Sequence, residues 1–326
     1  MDTSNKKIVV MGGGTGTYVT LSALQHPNYS LEAVVTVADS GGSTGRLRDE
    51  FGFLPVGDLR QALAAMAHGK NQDWIQKLLL YRFTKGSGLE GHNLGNLILT
   101  ALQDMCDNTA QALDVAAKIF RLHGAVYPIT SKDIQLVIEY TDGTIEIGEH
   151  IMDESKHSGK RVKRIRTSPK ATIHPPARIA LLGAQAIVLS PGDLYSSLMA
   201  NLVVGGVAKA IRESSAKLVY ITNLMTRRSQ THGLSARDHV GILEKQIGRS
   251  LDVIIINNKL IPKDIEARYA QFEEFPVQDD FESDSRVIRA DLIRESMIEK
   301  SQSDVLPRSF LRHDPKKLSL LFTRIL

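Results

Sequence analysis

The sequence predicts a doubly wound α/β fold, a mostly parallel Rossmann-like sheet with helices on both faces. Three observations predict it. Strand-like runs with apolar centres recur at 6–11, 31–38, 184–190, 217–222 and 251–256, as strands buried on both faces require. Segments with helical apolar spacing lie between most of them. The first two runs each end in a glycine-rich turn, the junction by which a buried strand passes into a helix.

Ile8-Val9-Val10-Met11 is the first strand, and Gly12-Gly13-Gly14-Thr15-Gly16 follows it. Val34-Val35-Thr36-Val37-Ala38 is the second, followed by Asp39-Ser40-Gly41-Gly42-Ser43-Thr44-Gly45-Arg46. Segments 58–67, 73–82, 94–105 and 109–122 read as helices. The pattern then breaks. Ile134 to Tyr140 is strand-like, Asp142-Gly143 is a hairpin turn, and 144–148 alternates as a return strand. This predicts a small antiparallel β-hairpin insertion at about 131–170 within a single domain spanning 1–326. The third run ends in Ser190-Pro191-Gly192-Asp193, where a helix starts, and the fourth in Thr222-Asn223-Leu224-Met225. From about 277 the chain is richly charged and gives no clear pattern.

The chain has 326 residues, 42% apolar and 23% charged, the balance of a soluble globular protein. No apolar run is long enough to span a membrane, and the N-terminus lacks the features of a signal peptide. The one cysteine, Cys106, excludes an internal disulfide and reads as a core residue. A reducing, cytoplasmic location is the expectation. A net charge of +4 is too modest to mark a nucleic-acid partner. The basic run from Lys156 to Arg166 puts Arg161, Lys163 and Ile165 on one strand face and Val162, Arg164 and Arg166 on the other. It reads as a solvated hairpin, or as a contact for an anionic partner or a subunit.

Ligands of doubly wound sheets bind outside the carboxyl ends of the strands. Four loops converge there. Gly12, Gly13, Gly14, Thr15 and Gly16 form neither a dinucleotide fingerprint nor a Walker A loop, and serve as a phosphate contact or as a structural turn. Asp39 can accept from a ribose, hold Mg²⁺ or close its own Asx turn. Gly41, Gly42, Ser43 and Arg46 supply amides, a hydroxyl and a cation for a phosphate, with Arg48 behind them. Asp58 opens a helix as N-cap or faces the ligand. His92, Asn93 and Asn96 lie in a glycine-flanked polar cluster suited to a base, a sugar hydroxyl or a carbonyl. Gly192, Tyr195 and Asn223 complete the edge. Tyr269 stacks on a base or packs, and Arg312 closes over a phosphate or is surface charge. No cluster of Cys and His ligands, no nucleophile elbow and no clear general base are present.

The ordered motifs GGGTGT, VADSGGSTGRLR, PVGDLRQAL, GLEGHNLGNL, SPGDLYSSLMANL, VYITNLMT and LRHD resemble those of the YvcK-type gluconeogenesis factors (UPF0052), within the CofD-like superfamily. The resemblance runs from about residue 6 to the C-terminus. It implies a regulator that binds a UDP-sugar, with UDP-N-acetylglucosamine foremost, and supports cell morphogenesis and envelope synthesis during gluconeogenic growth. It further implies a protein partner in envelope synthesis and is compatible with a homo-oligomer. The superfamily's other branch implies Mg²⁺-dependent transfer of a phospholactate- or phosphoenolpyruvate-type group from a guanylyl donor to a deazaflavin. By similarity, UDP-sugar contacts fall on the two glycine loops, the Asn93 region, Tyr269 and Arg312. The regulatory reading requires no cofactor, accommodates Mg²⁺ and allows NAD as an opportunistic ligand. The chain departs from the family pattern at Ser40, where a second aspartate is usual, and at Asp193, where serine is usual. It departs again at Arg227-Arg228-Ser229-Gln230-Thr231-His232, which replaces a more acidic stretch.

Overall fold

A computed structural model describes residues 5–39, 41–69, 72–148, 160–295 and 310–326; Ser40 and the start of the basic run lie outside them. β1 (Lys6–Gly12), β2 (Tyr29–Val35), β3 (Ala125–Pro128), β7 (Ala186–Leu189), β8 (Lys217–Ile221), β9 (Val253–Asn257) and β10 (Val287–Ala290) form one sheet. Its order is β10-β9-β8-β7-β1-β2-β3, and every neighbouring pair is parallel. Ile8 to Met11 and Ile187 to Leu189 have no solvent exposure, which explains runs with no polar alternation. Helices on both faces supply that cover. β1 pairs with β2 on one side and with β7 on the other, so the winding reverses at β1 and opens a crevice at its carboxyl end.

The helices that shape this crevice are α1 (Gly14–Ala23), α2 (Gly42–Phe51), α3 (Gly57–Met66), α4 (Asp73–Leu80), α5 (Leu94–Met105) and α6 (Thr109–Ile119). Beyond residue 170 come α7 (Pro175–Gly183), a π-helical turn Leu194–Met199 running into α8 (Ala200–Leu202), and α9 (Val207–Glu213). α10 (Ala236–Ile247), α11 (Lys263–Ala270) and α12 (Pro315–Ile325) complete the set. Their limits follow local chemistry. Ser235 and Asp238 form a reciprocal capping box at the start of α10, and Gly248 closes it in the left-handed conformation. Asp314 accepts from the amides of Lys316 and Lys317 and starts α12 ahead of Pro315.

The expected hairpin is a three-stranded antiparallel sheet: β4 (Gln135–Tyr140), β5 (Ile145–Ile147) and β6 (Val162–Ser168), in the order β5-β4-β6. Leu136, Ile138, Tyr140 and Ile165 are buried and join the core of the large sheet. The two faces expected for the basic run do not survive. A register shift opposite Glu139 and Tyr140 inserts Lys163 as an extra residue, so Val162 faces Tyr140 and Ile165 faces Ile138 on the same, inner side. Arg164 and Arg166 stay exposed.

Cys106 ends α5 half-buried and packs against the core edge. No helix among the described residues is long and apolar enough to cross a membrane.

Candidate functional site

The crevice at β1 is held shut at its base by close backbone approach. A Cβ on Gly16 would lie 1.4 Å from the carbonyl oxygen of Pro191, so only glycine lets α1 meet the loop after β7 this closely. The Thr17 and Ser190 hydroxyls are 3.0 Å apart, Asn201 Nδ2 donates to Gly12 O at 3.0 Å, and Asn223 Nδ2 donates to Gly192 O at 2.6 Å. Gly12 and Gly13 are therefore packing residues, buried against Ser190 and Asp58. Gly14, Thr15 and Gly16 keep access to solvent, as do Gly192 and Asn223.

Asp39 and Asp58 meet at the floor. Asp39 Oδ1 accepts the Gly41 amide at 2.9 Å, closing the turn that begins α2. Asp58 is not the N-cap of its own helix; Val56 holds that place, and the Asp58 carboxylate reaches across to the Gly14 amide at the start of α1. Two helix N-termini are thus each served by an internal carboxylate. Burial raises the Asp39 pKa, against the opposing pull of Gly41, Thr44, Arg60 and Arg48. Burial and then the Asp39 charge raise that of Asp58 from 3.8 to about 7. Gly57 permits the approach, since a Cβ there would lie 2.5 Å from Asp39 Oδ2. Arg60, the nearest cation acting on both, is committed elsewhere. It donates to Asn96 Oδ1 at 2.8 Å and Leu79 O at 3.0 Å, and burial lowers its pKa to about 10.

The polar cluster from the loop before α5 lies behind this floor. Asn93 caps α5 by accepting from the Asn96 amide, and only 1% of it is exposed. Asn96 is 2% exposed and donates to Ser43 Oγ and Thr44 Oγ1. Both therefore position α2 against α5 in this arrangement. His92 Nδ1 is 3.2 Å from Ser43 Oγ. Arg46 is exposed beside Gly91 and acts on His92 through its charge. Arg48 turns away and pairs with Asp133 at 2.7 Å.

The far wall is self-contained. Tyr195 and Ser196 begin the π-helical turn, and their amides are already accepted by Gln230 Oε1 at 3.2 and 3.3 Å. Asp193 pairs with Arg227 at 3.0 Å, and Arg227 lies 3.8 Å from Glu274, which is 2% exposed. Tyr269 is 4% exposed, accepts the Leu311 amide at 3.1 Å and sets its ring edge-on to Phe310. Its ring is part of a small second core with Leu224, Ile261, Ile265 and Ile293. Arg312 lies beside α1, close enough for its charge, with that of Arg294, to oppose the burial that raises the Tyr18 pKa.

The structure thus gathers Gly14, Thr15, Gly16, Asp39, Gly41, Gly42, Arg46, Asp58, Gly192 and Asn223 at one half-open edge. It buries Gly12, Gly13, Ser43, Asn93, Asn96, Tyr195 and Tyr269 behind it. Sequence reasoning missed Gln230, Asn201 and Arg60. Arg60 stood two residues from Asp58 in the same motif, Asn201 lay in the motif that begins at Ser190, and Gln230 lay in the stretch from Arg227 to His232; nothing in their spacing marked a role.

Residues 8–298 match the family described as 2-phospho-L-lactate transferase CofD. The gluconeogenesis factor of Bacillus subtilis (strain 168) is 35% identical over 322 residues, 98% of this chain and 98% of that protein. That of Halalkalibacterium halodurans is 36% identical over 318 residues, 96% of this chain and 94% of the relative. The crystal structure of a UPF0052-family protein from Bacillus halodurans superposes with a TM-score of 0.86 at 33% identity, over 98% of this chain and 99% of that one. Full-length identity, motif order and topology agree, and the chain belongs to the CofD family, grouped with its gluconeogenesis factors.

Proposed function

We propose that this protein binds a UDP-sugar, with UDP-N-acetylglucosamine as the first candidate, at the carboxyl edge of β1, β2 and β7, and acts as a regulator. The observation that carries this reading is the half-buried Asp39–Asp58 pair beside solvent-accessible glycines and Arg46. Carboxylates in such a place accept from sugar hydroxyls, while amides and a guanidinium donate to phosphate oxygens. Among the described residues no cluster of three or more metal-ligating groups accompanies the pair. The name gluconeogenesis factor, carried by the relatives, supports a role in gluconeogenic growth; a part in morphogenesis and envelope synthesis, exerted in the cytoplasm through a protein partner, belongs to the same proposal and rests on the resemblance of the motifs.

Calorimetric titration with UDP-N-acetylglucosamine, UDP-glucose, GDP and NAD, with and without Mg²⁺, tests the reading. Saturable binding of a UDP-sugar, weakened by Asp39→Asn, is expected. Absence of UDP-sugar binding at millimolar concentration rejects it.

The same acid pair favours one second reading, a Mg²⁺-dependent transferase. Mg²⁺ is commonly held by one or two carboxylates together with substrate phosphates, and Asp39 and Asp58 fit that role. The ion would neutralise phosphate charge. A guanylyl-activated donor and a deazaflavin incubated with the protein would then yield an adduct detectable by mass spectrometry, and no adduct at saturating Mg²⁺ rejects this alternative.

A further inference from the structure

The cluster behind the acid pair fixes more than the position of a loop. Arg60 can only donate, so the Asn96 side chain must turn its oxygen to Arg60 Nε, 2.8 Å away. Its amide nitrogen then faces Ser43 Oγ at 3.4 Å and Thr44 Oγ1 at 3.2 Å. The Asn93 backbone amide also donates to Ser43 Oγ, at 3.3 Å. Two donors fill the acceptor side of the Ser43 hydroxyl, which leaves its single proton for the remaining partner among the described residues, His92 Nδ1, at 3.2 Å.

We infer that His92 is locked as the Nε2–H tautomer by Ser43, and that it presents a fixed, uncharged donor to an acceptor oxygen of the ligand. Ser43 is a positioning residue in this scheme, because it acts through the imidazole. The subsite takes a phosphoryl or carbonyl oxygen and rejects an amino group. Burial, then the charges of Arg46 and Arg82, hold the imidazole pKa below its ordinary value, against Glu50, so the ring stays neutral at physiological pH. A neutral donor suits a ligand that Arg46 already meets as a cation. The contact with ligand rests on the proposed nucleotide-sugar reading; the tautomer does not.

Imidazole ¹⁵N spectra of the full-length protein near neutral pH test the inference without ligand. His92 Nδ1 is expected at the shift of an unprotonated nitrogen and Nε2 at that of a protonated one. The reverse assignment overturns the inference. Ser43→Ala is expected to average the two shifts, and Ser43→Thr to restore them. Unchanged shifts in Ser43→Ala overturn the role of Ser43. Saturation with UDP-N-acetylglucosamine is then expected to move the Nε2 resonance. Binding that leaves Nε2 unmoved overturns the ligand contact, whereas an absence of binding rejects the proposed function and leaves the tautomer to be decided by the ligand-free spectra.

Discussion

Two pairs of acids flank the crevice, and they are treated in opposite ways. On the near wall Asp39 and Asp58 face each other while Arg60, the cation acting on both, is bound to Asn96 and Leu79. Both pKa values rise. On the far wall Asp193 and Glu274 share Arg227, which lies between the loops after β7 and β8 and the end of α11. Like charges brought together in a half-buried site, with the guanidinium that acts on both engaged elsewhere, carry an energetic cost. A fold retains such a pair where a ligand, a cation or a proton relieves it. The far pair is already relieved, so it reads as scaffold. The contrast singles out the near acids as the candidates for ligand contact and the far ones as candidates for support.

The largest effect is expected from removing the shared cation. Arg227→Met leaves the buried Glu274 without its guanidinium and should destabilise the protein by about 3 kcal/mol in denaturant titration. A loss under about 1 kcal/mol would show that Arg227 is not the keystone of the far wall. Gly16→Ala comes next. Its methyl would meet the Pro191 carbonyl, and the loop must move, at a cost of about 2 kcal/mol. Ligand affinity should fall with stability, because the same movement opens the crevice base. Full stability in this variant would refute the close approach on which that geometry depends.

On the near wall the sign reverses. The Asp58 pKa is about 7 in the folded protein against an ordinary 3.8. Between those values the folded protein holds a proton that the unfolded chain has released, so stability falls as pH rises through the interval and stays low above it. Asp58→Asn removes the ionised form. It should therefore stabilise the protein near pH 8, by roughly 1 kcal/mol after allowance for partial solvation, and give no gain near pH 4. Mg²⁺ should raise the melting temperature of the parent protein above about pH 7, and should do so less in this variant. A variant less stable than the parent at both pH values would show that Asp58 acts as scaffold, like Asp193.

These expectations rest on contacts only partly legible in the sequence. The glycine turn after Met11 and the apolar stretches Ile8 to Met11 and Ala186 to Leu189 gave away the sheet, because a strand buried on both faces shows no polar alternation. β3 and β10 escaped because each has four residues, and β3 ends in Pro128. α12 was masked by the charged stretch around it. Asp39 and Asp58 could each be singled out, but their meeting depends on Gly13 and Gly57 having no side chain at the crossing of three elements. Tyr269 could not be placed as buried, since its hydroxyl partner comes from Leu311, 42 residues along the chain. Asp193 and Arg227 stood out as separate oddities; only the packing of two strand-end loops makes them a pair.

That pair supplies the smallest and most discriminating effect. Asp193 is 23% exposed and Glu274 is 2% exposed, so water can replace the first far more readily than the second. Asp193→Asn leaves Arg227 with Glu274 and should cost only about 0.5 kcal/mol, in the range of a solvated ion pair. The Arg227→Met, Asp193→Asn double variant should then be barely less stable than Arg227→Met alone, because the Asp193 contribution passes through the same guanidinium. Additive losses would mean that Asp193 has a second partner of its own. In that case the far wall would not hang on one shared guanidinium, and the contrast with the near acids would be one of degree.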